Sequence, residues 1–307
     1  MFSTAFVLFT ALTAVFGAPA PVSRRAAAAV TTLSATDLSD LDSFTQFARA
    51  AYCPVDKLMA WKCGQACKAN PKFEATLSGG MGNAIQFFFV GYYPKTNSVI
   101  VSHQGTDPLA LMSVLTDLKL LKGALNSTLF PGTPKGVETH IGFRDQHAIK
   151  ALEIQAEVKR LIKEKGATQV TTVGHSLGGA LAELNALSLR LNLPAEIGVN
   201  AVTYGTPRVG NDDFVKFFDS KVDDFKRVNN EADLVPTVPG RFLGFSHPKG
   251  EIHIVDADKK EIVACPGNDD DTNEKCQIKT VPSILSGNIL NHLGPYNGIF
   301  IGSIFCD

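Results

Sequence analysis

Apolar residues recur along the chain with a spacing that alternates between that of strands and that of helices. AIQFFFVGYYPKTNSVIVSHQGT (84–106) predicts two strands around a PKTN turn. Residues 139–166 have helical spacing up to Gly166, QVTTVG (169–174) is strand-like, and 178–193 is helical again. This alternation continues to about residue 240. It predicts an α/β fold with a mainly parallel central sheet flanked by helices.

The segments on either side of this region predict further elements of one domain. Before it, residues 35–53 carry apolar positions at helical spacing. After it, the pattern predicts a strand at 199–204, a helix capped by Asn211, a strand and polar loop at 225–239, and a hairpin at 250–265. We see no repeat or linker, so we expect residues 26–307 to form a single domain.

The amino terminus is typical of a targeting segment, and the composition excludes one class of partner. An apolar run ends at small residues near Gly17, which predicts a signal peptide at 1–17, and Arg24-Arg25 predicts removal of a short propeptide at 18–25. An uncleaved amino-terminal anchor is the alternative. The formal net charge of −1 gives no electrostatic reason to bind nucleic acid.

Six cysteines in a chain with a predicted signal peptide indicate disulfides, with fifteen possible pairings. Local pairing gives Cys63–Cys67 and Cys265–Cys276, which leaves Cys53–Cys306. A metal site at CGQAC lacks a second pair of ligands at zinc spacing, and NDDDTNE lacks the spacing of a calcium loop. We therefore expect no metal.

The stretch VTTVGHSLGGALAEL (170–184) places Ser176 between Gly174 and Gly178, at the junction of a predicted strand and a predicted helix. A turn this tight requires small neighbours and puts the hydroxyl at a helix amino terminus, where free N–H groups favour negative charge. The pattern resembles the nucleophile elbow of α/β-hydrolases. A glycine-rich turn with an idle serine is the alternative.

A serine nucleophile needs a base and an orienting acid, which follow it in the order acid then histidine in such folds. This order leaves His247, His253 and His292 as bases, and we favour His292 because it lies in a Gly/Asn/Pro-rich loop near the end. For the acid we favour Asp233, just past a predicted strand. Glu231 is not excluded by spacing, and Asp233 could instead cap the following turn.

The motifs GHSLGGA, YGTPRVGN, RVNNEADLVPTVP, HIGF and NHLGPY occur here in one order and resemble those of the fungal class 3 lipase family. The resemblance covers about residues 45–307. It implies an α/β-hydrolase fold with a helical lid, hydrolysis of acylglycerol esters through an acyl-enzyme, and no cofactor. Carried over, Ser176, Asp233 and His292 are the catalytic triad, and Thr106 forms the oxyanion hole with the Leu177 N–H.

The resemblance also places a lid after Thr106, in DPLALMSVLTDLKLLKGAL (107–125). Its apolar residues would face the site and open against lipid, which predicts transient contact with a lipid–water interface. They are Leu109, Leu111, Met112, Val114 and Leu115. A plain buried helix is the alternative, and the segment has no Trp, unlike many relatives. Asn126 begins an N-glycosylation sequon.

The sequence therefore predicts a secreted, monomeric lipase. A feruloyl-type, cutin or phospholipid esterase on the same fold is the first alternative. A binding protein without catalysis is the second, and the three intact triad positions disfavour it.

Overall fold

The computed structural model describes Met1 and residues 29–82, 84–107, 121–269 and 272–306. Nine of the strands in these ranges form one sheet, in the order β1-β11-β10-β9-β8-β7-β4-β3-β2, and β5 and β6 form a separate ribbon. The strands are β1 (Thr31–Thr32), β2 (Glu74–Gly79), β3 (Phe88–Tyr93), β4 (Ser98–His103), β5 (Lys122–Ala124), β6 (Glu138–His140), β7 (Gln169–His175), β8 (Gly198–Tyr204), β9 (Phe225–Asn230), β10 (Glu251–Asp256) and β11 (Glu261–Ala264).

Helices connect these strands and cover both faces of the sheet. The α-helices in the described ranges are α1 (Ala35–Ser39), α2 (Asp42–Ala50), α3 (Val55–Met59), α4 (Gly64–Ala69), α5 (Ile141–Ala148), α6 (Ala151–Lys165), α7 (Leu177–Asn192), α8 (Asp212–Asp219) and α9 (Gln277–Thr280). Short 3-10 turns lie at Pro94–Thr96, Val235–Thr237, Arg241–Leu243, Ile284–Ser286, Ile289–Leu293 and Ser303–Phe305.

The centre of the sheet is parallel and its two sides are antiparallel. Strands β4, β7, β8, β9 and β10 run in one direction, and antiparallel neighbours flank them. The predicted α/β fold with a mainly parallel central sheet is therefore confirmed, and the antiparallel strands at its two sides make the sheet as a whole mixed. Short turns cause the difference, since a turn such as Pro94–Thr96 between β3 and β4 can only join antiparallel strands.

Successive residues of the strands bury against different helices. On β4, Val99 and Val101 belong to the core beneath α6, α7 and α8, whereas Ile100 packs on the opposite face with Phe47 of α2. This alternation is the period of two expected of a strand. Because both faces are covered, β4 is apolar at three successive positions, Val99, Ile100 and Val101, which explains this continuous run in the sequence.

The long helix predicted over residues 139–166 is wrong at its start and in its middle. Thr139 and His140 pair with β5, and the helical stretch divides at Ile149 and Lys150 into α5 and α6. Gly166 does end α6, with a left-handed φ of +67°. The helical spacing continues through the break, so apolar periodicity alone could not locate it.

The three predicted disulfides are confirmed as Cys53–Cys306, Cys63–Cys67 and Cys265–Cys276. The first joins the segment after α2 to the carboxyl-terminal turn, across 253 residues of sequence. A cross-link that closes so long a loop restricts the unfolded chain more than a local one does.

Two predicted segments lie outside the described residues. Apart from Met1, they are the signal peptide at 1–17 with the propeptide at 18–25, and the lid residues Leu109, Leu111, Met112, Val114 and Leu115. In the part of the chain that is described, no helix combines the length and the apolar character of a membrane span.

Candidate active site

Ser176 occupies a sharp turn between β7 and α7, with φ +59° and ψ −131°. A positive φ strains a residue with a side chain, and such strain concentrates at functional sites. The flanking glycines are required by space. A Cβ on Gly174 would lie 2.0 Å from the Gly178 carbonyl oxygen, and one on Gly178 would lie 2.2 Å from the His103 carbonyl oxygen. The turn is therefore as tight as the sequence predicted.

The amino terminus of α7 begins directly after this serine. Leu177 is its first residue, so its N–H has no acceptor within the helix. Ser176 itself is anchored by its own N–H, which donates to the Tyr204 carbonyl oxygen at the end of β8 over 2.9 Å. The aligned peptide dipoles of a helix favour negative charge at this end.

His292 and Asp233 form a buried pair beside the serine turn. The His292 Nδ1 lies 2.8 Å from the Asp233 Oδ2, and both side chains are fully buried. Because a carboxylate only accepts, Nδ1 carries the proton of the neutral ring. The other nitrogen, Nε2, is buried and has no hydrogen-bond partner among the described residues.

Gly205 shows how closely this pair approaches the strand next to the serine. It follows Tyr204, and a Cβ placed on it would lie 2.7 Å from the His292 Nδ1 and 2.8 Å from the Asp233 Oδ2. Only a glycine leaves room for both side chains there. The fold thus gathers Ser176, Asp233 and His292 at the carboxyl ends of β7, β8 and β9.

The second oxygen of Asp233 is used as well. Its Oδ1 accepts the Val235 N–H over 2.9 Å, so the carboxylate caps the following turn while it holds His292. Its backbone carbonyl accepts the Gln277 Nε2–H over 2.6 Å. The turn-capping alternative and the contact with the histidine therefore hold together.

Glu231, the other acid that the sequence allowed, is bonded to groups other than His292. The Glu231 carboxylate accepts the Ala257 N–H and the Asn291 side-chain amide. Asn230 donates to the Asn291 carbonyl oxygen over 2.9 Å. These contacts hold Asn291, the residue before His292, and keep the Glu231 carboxylate away from the His292 ring.

His247 and His253, the two other histidines that chain order allowed as the base, are bonded to backbone carbonyls. The His247 Nε2 donates to Pro236, and burial is the main cause that lowers its pKa to about 3. The ring nitrogens of His253 face the carbonyl oxygens of Lys275 and Glu231. His292 is the one of the three whose ring contacts Asp233.

The loop after β4 lies against the serine turn. A Cβ on Gly105 would lie 2.8 Å from the Ser176 Cβ and 2.5 Å from the His175 carbonyl oxygen. Thr106 comes next and is only 8% exposed. Gln104 fixes the loop, since its Oε1 accepts the Phe87 N–H over 2.9 Å. The loop that carries Thr106 and the start of α7 at Leu177 therefore both adjoin the serine.

Two buried contacts in the surroundings could not be predicted from the sequence. Arg208, in the YGTPRVGN motif, pairs in the interior with Asp269, whose pKa lies below its usual value although burial opposes this. Tyr52 contacts His175, and no motif marked it.

Asn126 of the predicted sequon is exposed, and its Oδ1 accepts the Thr128 N–H.

The mixed sheet with a parallel centre and a strained serine between β7 and α7 define an α/β-hydrolase fold. Solved lipases share it: the lipase from Rhizopus microsporus var. chinensis superimposes with a TM-score of 0.77 at 25% identity, covering 93% of this chain and 95% of that one. The sequence matches the family described as Lipase (class 3) over residues 100–243. Over these residues the chain is similar to the class 3 lipase family, and its fold is that of the solved lipases.

The chain is also similar to curated proteins of Malassezia globosa. The secreted mono- and diacylglycerol lipase LIP1 is 32% identical over 58% of this chain and 59% of its own length. The secreted mono- and diacylglycerol lipase MDL2 is 35% identical over 64% of this chain and 65% of its own length. The chain thus spans less than two thirds of the length of either relative.

Proposed function

We propose that this protein is a secreted serine esterase that hydrolyses acylglycerols, with Ser176 as nucleophile, His292 as base and Asp233 as orienting acid. The observation that carries the proposal is the state of His292. One ring nitrogen is held by a buried carboxylate, and the other is buried without a partner in the described structure, beside a strained serine. A general base needs this combination of fixed orientation and free acceptor.

In the acylation step, the Ser176 Oγ attacks the ester carbonyl carbon while the His292 Nε2 takes the hydroxyl proton. The resulting imidazolium is stabilised by Asp233 and gives the same proton to the departing glycerol oxygen as the carbon–oxygen bond breaks. Water then attacks the acyl-enzyme with the same histidine as base. The fatty acid leaves and the serine regains its proton.

The carbonyl oxygen becomes negative in both tetrahedral intermediates. The Leu177 N–H at the start of α7 is one donor in our proposal, and Thr106 supplies its hydroxyl and N–H from the facing loop. Preorganised donors of this kind are each worth about 3 kcal/mol of transition-state stabilisation. Gln104 would keep Thr106 in place through its bond to Phe87.

An apolar cavity supports a substrate with a long acyl chain. It has a volume of about 520 Å³ and is lined by Arg208, residues 237–243, Ile278 and residues 281–284, so part of its lining begins four residues after Asp233. None of the three triad residues belongs to its lining. We propose that it receives acyl carbons beyond those next to the ester, because burial of each methylene contributes about 0.8 kcal/mol.

Large apolar side chains are exposed in or next to the segments that line this cavity and in the turn that carries His292. Phe242 is 90% exposed, Leu285 is 97% exposed, and Leu290, two residues before His292, is 70% exposed. Exposed apolar side chains of this size are typical of surfaces that meet lipid or another protein. We propose that they contact the lipid–water interface together with the lid at residues 109–115.

Secretion belongs to the same proposal. It is supported by the disulfides, which persist in oxidising compartments, and by relatives that are named secreted. We propose that residues 1–17 are a signal peptide, that 18–25 are removed, and that 26–307 form the mature enzyme.

Replacement of Ser176 tests the proposal. We expect Ser176→Ala to lower the turnover of p-nitrophenyl butyrate by about 10,000-fold, since the nucleophile is lost, with unchanged thermal unfolding. Ser188→Ala is the matched control, because this buried serine lies on α7, the helix that Ser176 precedes, and donates to the Leu129 carbonyl instead. Turnover by Ser176→Ala at the wild-type rate would disprove the serine mechanism.

The substrate class is tested on the wild-type enzyme. We expect emulsified mono- or diacylglycerols to be hydrolysed faster than a feruloyl ester or a phospholipid of equal acyl length. A preference for the feruloyl ester would keep the mechanism and overturn the lipid substrate.

A further inference from the structure

A chain of buried hydrogen bonds lies beneath the proposed triad and involves two residues to which we have given no role. The Tyr52 hydroxyl lies 2.6 Å from the His175 Nδ1, and the His175 Nε2 lies 2.7 Å from the His292 carbonyl oxygen. Tyr52, His175 and His292 are each at most 3% exposed. The chain thus joins the residue before the nucleophile to the backbone of the base.

The direction of these bonds follows from the acceptor at one end. A carbonyl oxygen has no proton, so the His175 Nε2 must be the donor to His292. In a neutral ring the Nδ1 is then an acceptor, and the Tyr52 O–H donates to it. Burial favours this neutral ring, since it lowers the pKa of His175 well below its usual value.

The far end of the chain reaches the loop that carries Thr106. Burial is the main cause that raises the pKa of Tyr52 above its usual value, and the backbone of Gly105 lies against the phenol oxygen. A Cβ on Gly105 would lie 2.4 Å from that oxygen. The one hydroxyl therefore contacts both the oxyanion loop and His175.

The carbonyl of His292 receives a second donor as well. The Tyr296 hydroxyl donates to it over 3.0 Å, and the rings of His175 and His292 lie 4.4 Å apart between centroids. His175 and Tyr296 thus hold the backbone carbonyl of His292, while Asp233 holds its ring.

We propose that His175 and Tyr52 are positioning residues that set the distances between the nucleophile, the base and the oxyanion loop. Neither touches the reacting atoms. The Gly105 backbone packs against the Tyr52 hydroxyl, Tyr52 donates to His175, and His175 donates to His292, so the chain links the three loops of the site. This inference rests on the proposed hydrolysis by Ser176, because a positioning role has meaning only if those groups react.

Two replacements of His175 separate the two ends of the chain. In His175→Gln the side-chain amide reaches the position of Nε2 and still donates to His292. In His175→Asn the shorter amide reaches only the position of Nδ1, so it contacts Tyr52 and loses His292. Tyr52→Phe removes the hydroxyl and keeps the ring. Tyr93→Phe is its control, because that buried hydroxyl bonds Asn70 away from the site.

The test is the steady-state hydrolysis of p-nitrophenyl butyrate, with active sites counted by a fluorophosphonate and thermal unfolding measured for each variant. We expect kcat to fall about 10-fold or more in Tyr52→Phe and His175→Asn, with KM within about twofold, because misplacement of reacting groups lowers turnover rather than binding. His175→Gln should stay within about threefold of wild type. Tyr93→Phe should change only the melting temperature.

Equal losses of kcat in His175→Asn and His175→Gln would overturn the positioning role. So would a Tyr52→Phe variant that loses melting temperature as Tyr93→Phe does and keeps its kcat. Ser176→Ala tells the two proposals apart. If Ser176→Ala is inactive while the Tyr52 and His175 variants turn over normally, only the positioning role fails, whereas an active Ser176→Ala removes the proposed function itself.

Discussion

Gly205 shows at the scale of single residues how little space the proposed site leaves. It has a left-handed φ of +52°, and its Cα faces both the His292 Nδ1 and the Asp233 Oδ2. Gly166, at the end of α6, has a similar φ of +67°, and a Cβ added there would meet open space. The two glycines share the backbone requirement and differ in what surrounds them.

An alanine at each position separates these two effects. We expect Gly166→Ala to cost about 1 kcal/mol of unfolding free energy, from backbone strain alone, and to leave kcat unchanged. Gly205→Ala should cost about 2 kcal/mol or more and lower kcat at least about 10-fold, since it pushes apart His292 and Asp233. Urea unfolding and ester hydrolysis measure both. Equal effects of the two variants would show that strain, not crowding, explains Gly205.

Residues of the site differed in how far the sequence could predict them. Ser176 stood out because two glycines at fixed spacing have one main structural use. His292 stood out because chain order left three histidines and this one lies in a Gly/Asn/Pro-rich loop near the end. Tyr52 could not be found in this way. It is 123 residues from His175 in sequence, and its position beneath the site follows from the packing of α2 on the sheet.

At the scale of elements, α5 packs against α7 and brings two buried histidines together. His147 is on α5, and His103 is at the end of β4, where its Nε2 contacts the Asn185 amide of α7. Burial lowers the pKa of His147 to about 4. Burial is also the main cause that lowers the pKa of His103 to about 3, with the neighbouring His147 adding to it.

The lowered pKa values of His147 and His103 predict that the folded protein is less stable in acid. The unfolded chain takes up protons on histidine below about pH 6.5, whereas the folded chain does not until about pH 4. The free energy of unfolding should therefore fall by roughly 1 kcal/mol per pH unit for each such histidine between those values, and be fully present above pH 6.5.

Urea unfolding from pH 7 to pH 4 measures the slope. His147→Gln should make it shallower because one titrating ring is gone. Gln146→Ala, at the half-buried neighbouring position of α5, should keep the wild-type slope because it removes no titrating group. An unchanged slope in His147→Gln would contradict the lowered pKa of His147 as a cause of the acid sensitivity.

Element types were predicted well where the pattern was regular, and boundaries were predicted poorly where tertiary contacts decided them. The strands β3, β4, β7 and β8 follow from their apolar runs. The break at Ile149 and Lys150 was missed because the apolar spacing of α6 is in phase with that of α5. Strand β2 was missed because its residues are only partly buried at an edge of the sheet.

At the scale of the whole molecule, the strand order explains why distant residues meet. The serine follows β7 and the acid follows the end of β9, with β8 and Gly205 between them, and the loop of Thr106 follows β4 on the other side. Parallel central strands bring all these carboxyl ends to one edge. Sequence predicted that such an edge exists, but the lateral order of strands depends on which faces the connecting helices cover.

The most direct test of this account is the site and rate of covalent labelling by a fluorophosphonate, read by tandem mass spectrometry. We predict one adduct on Ser176 in the wild type. Labelling should be at least about 100-fold slower in folded His292→Ala, since the base activates the serine. His147→Gln should label at the wild-type rate. An adduct on another residue, or an unchanged rate on Ser176 in His292→Ala, would contradict the proposed triad.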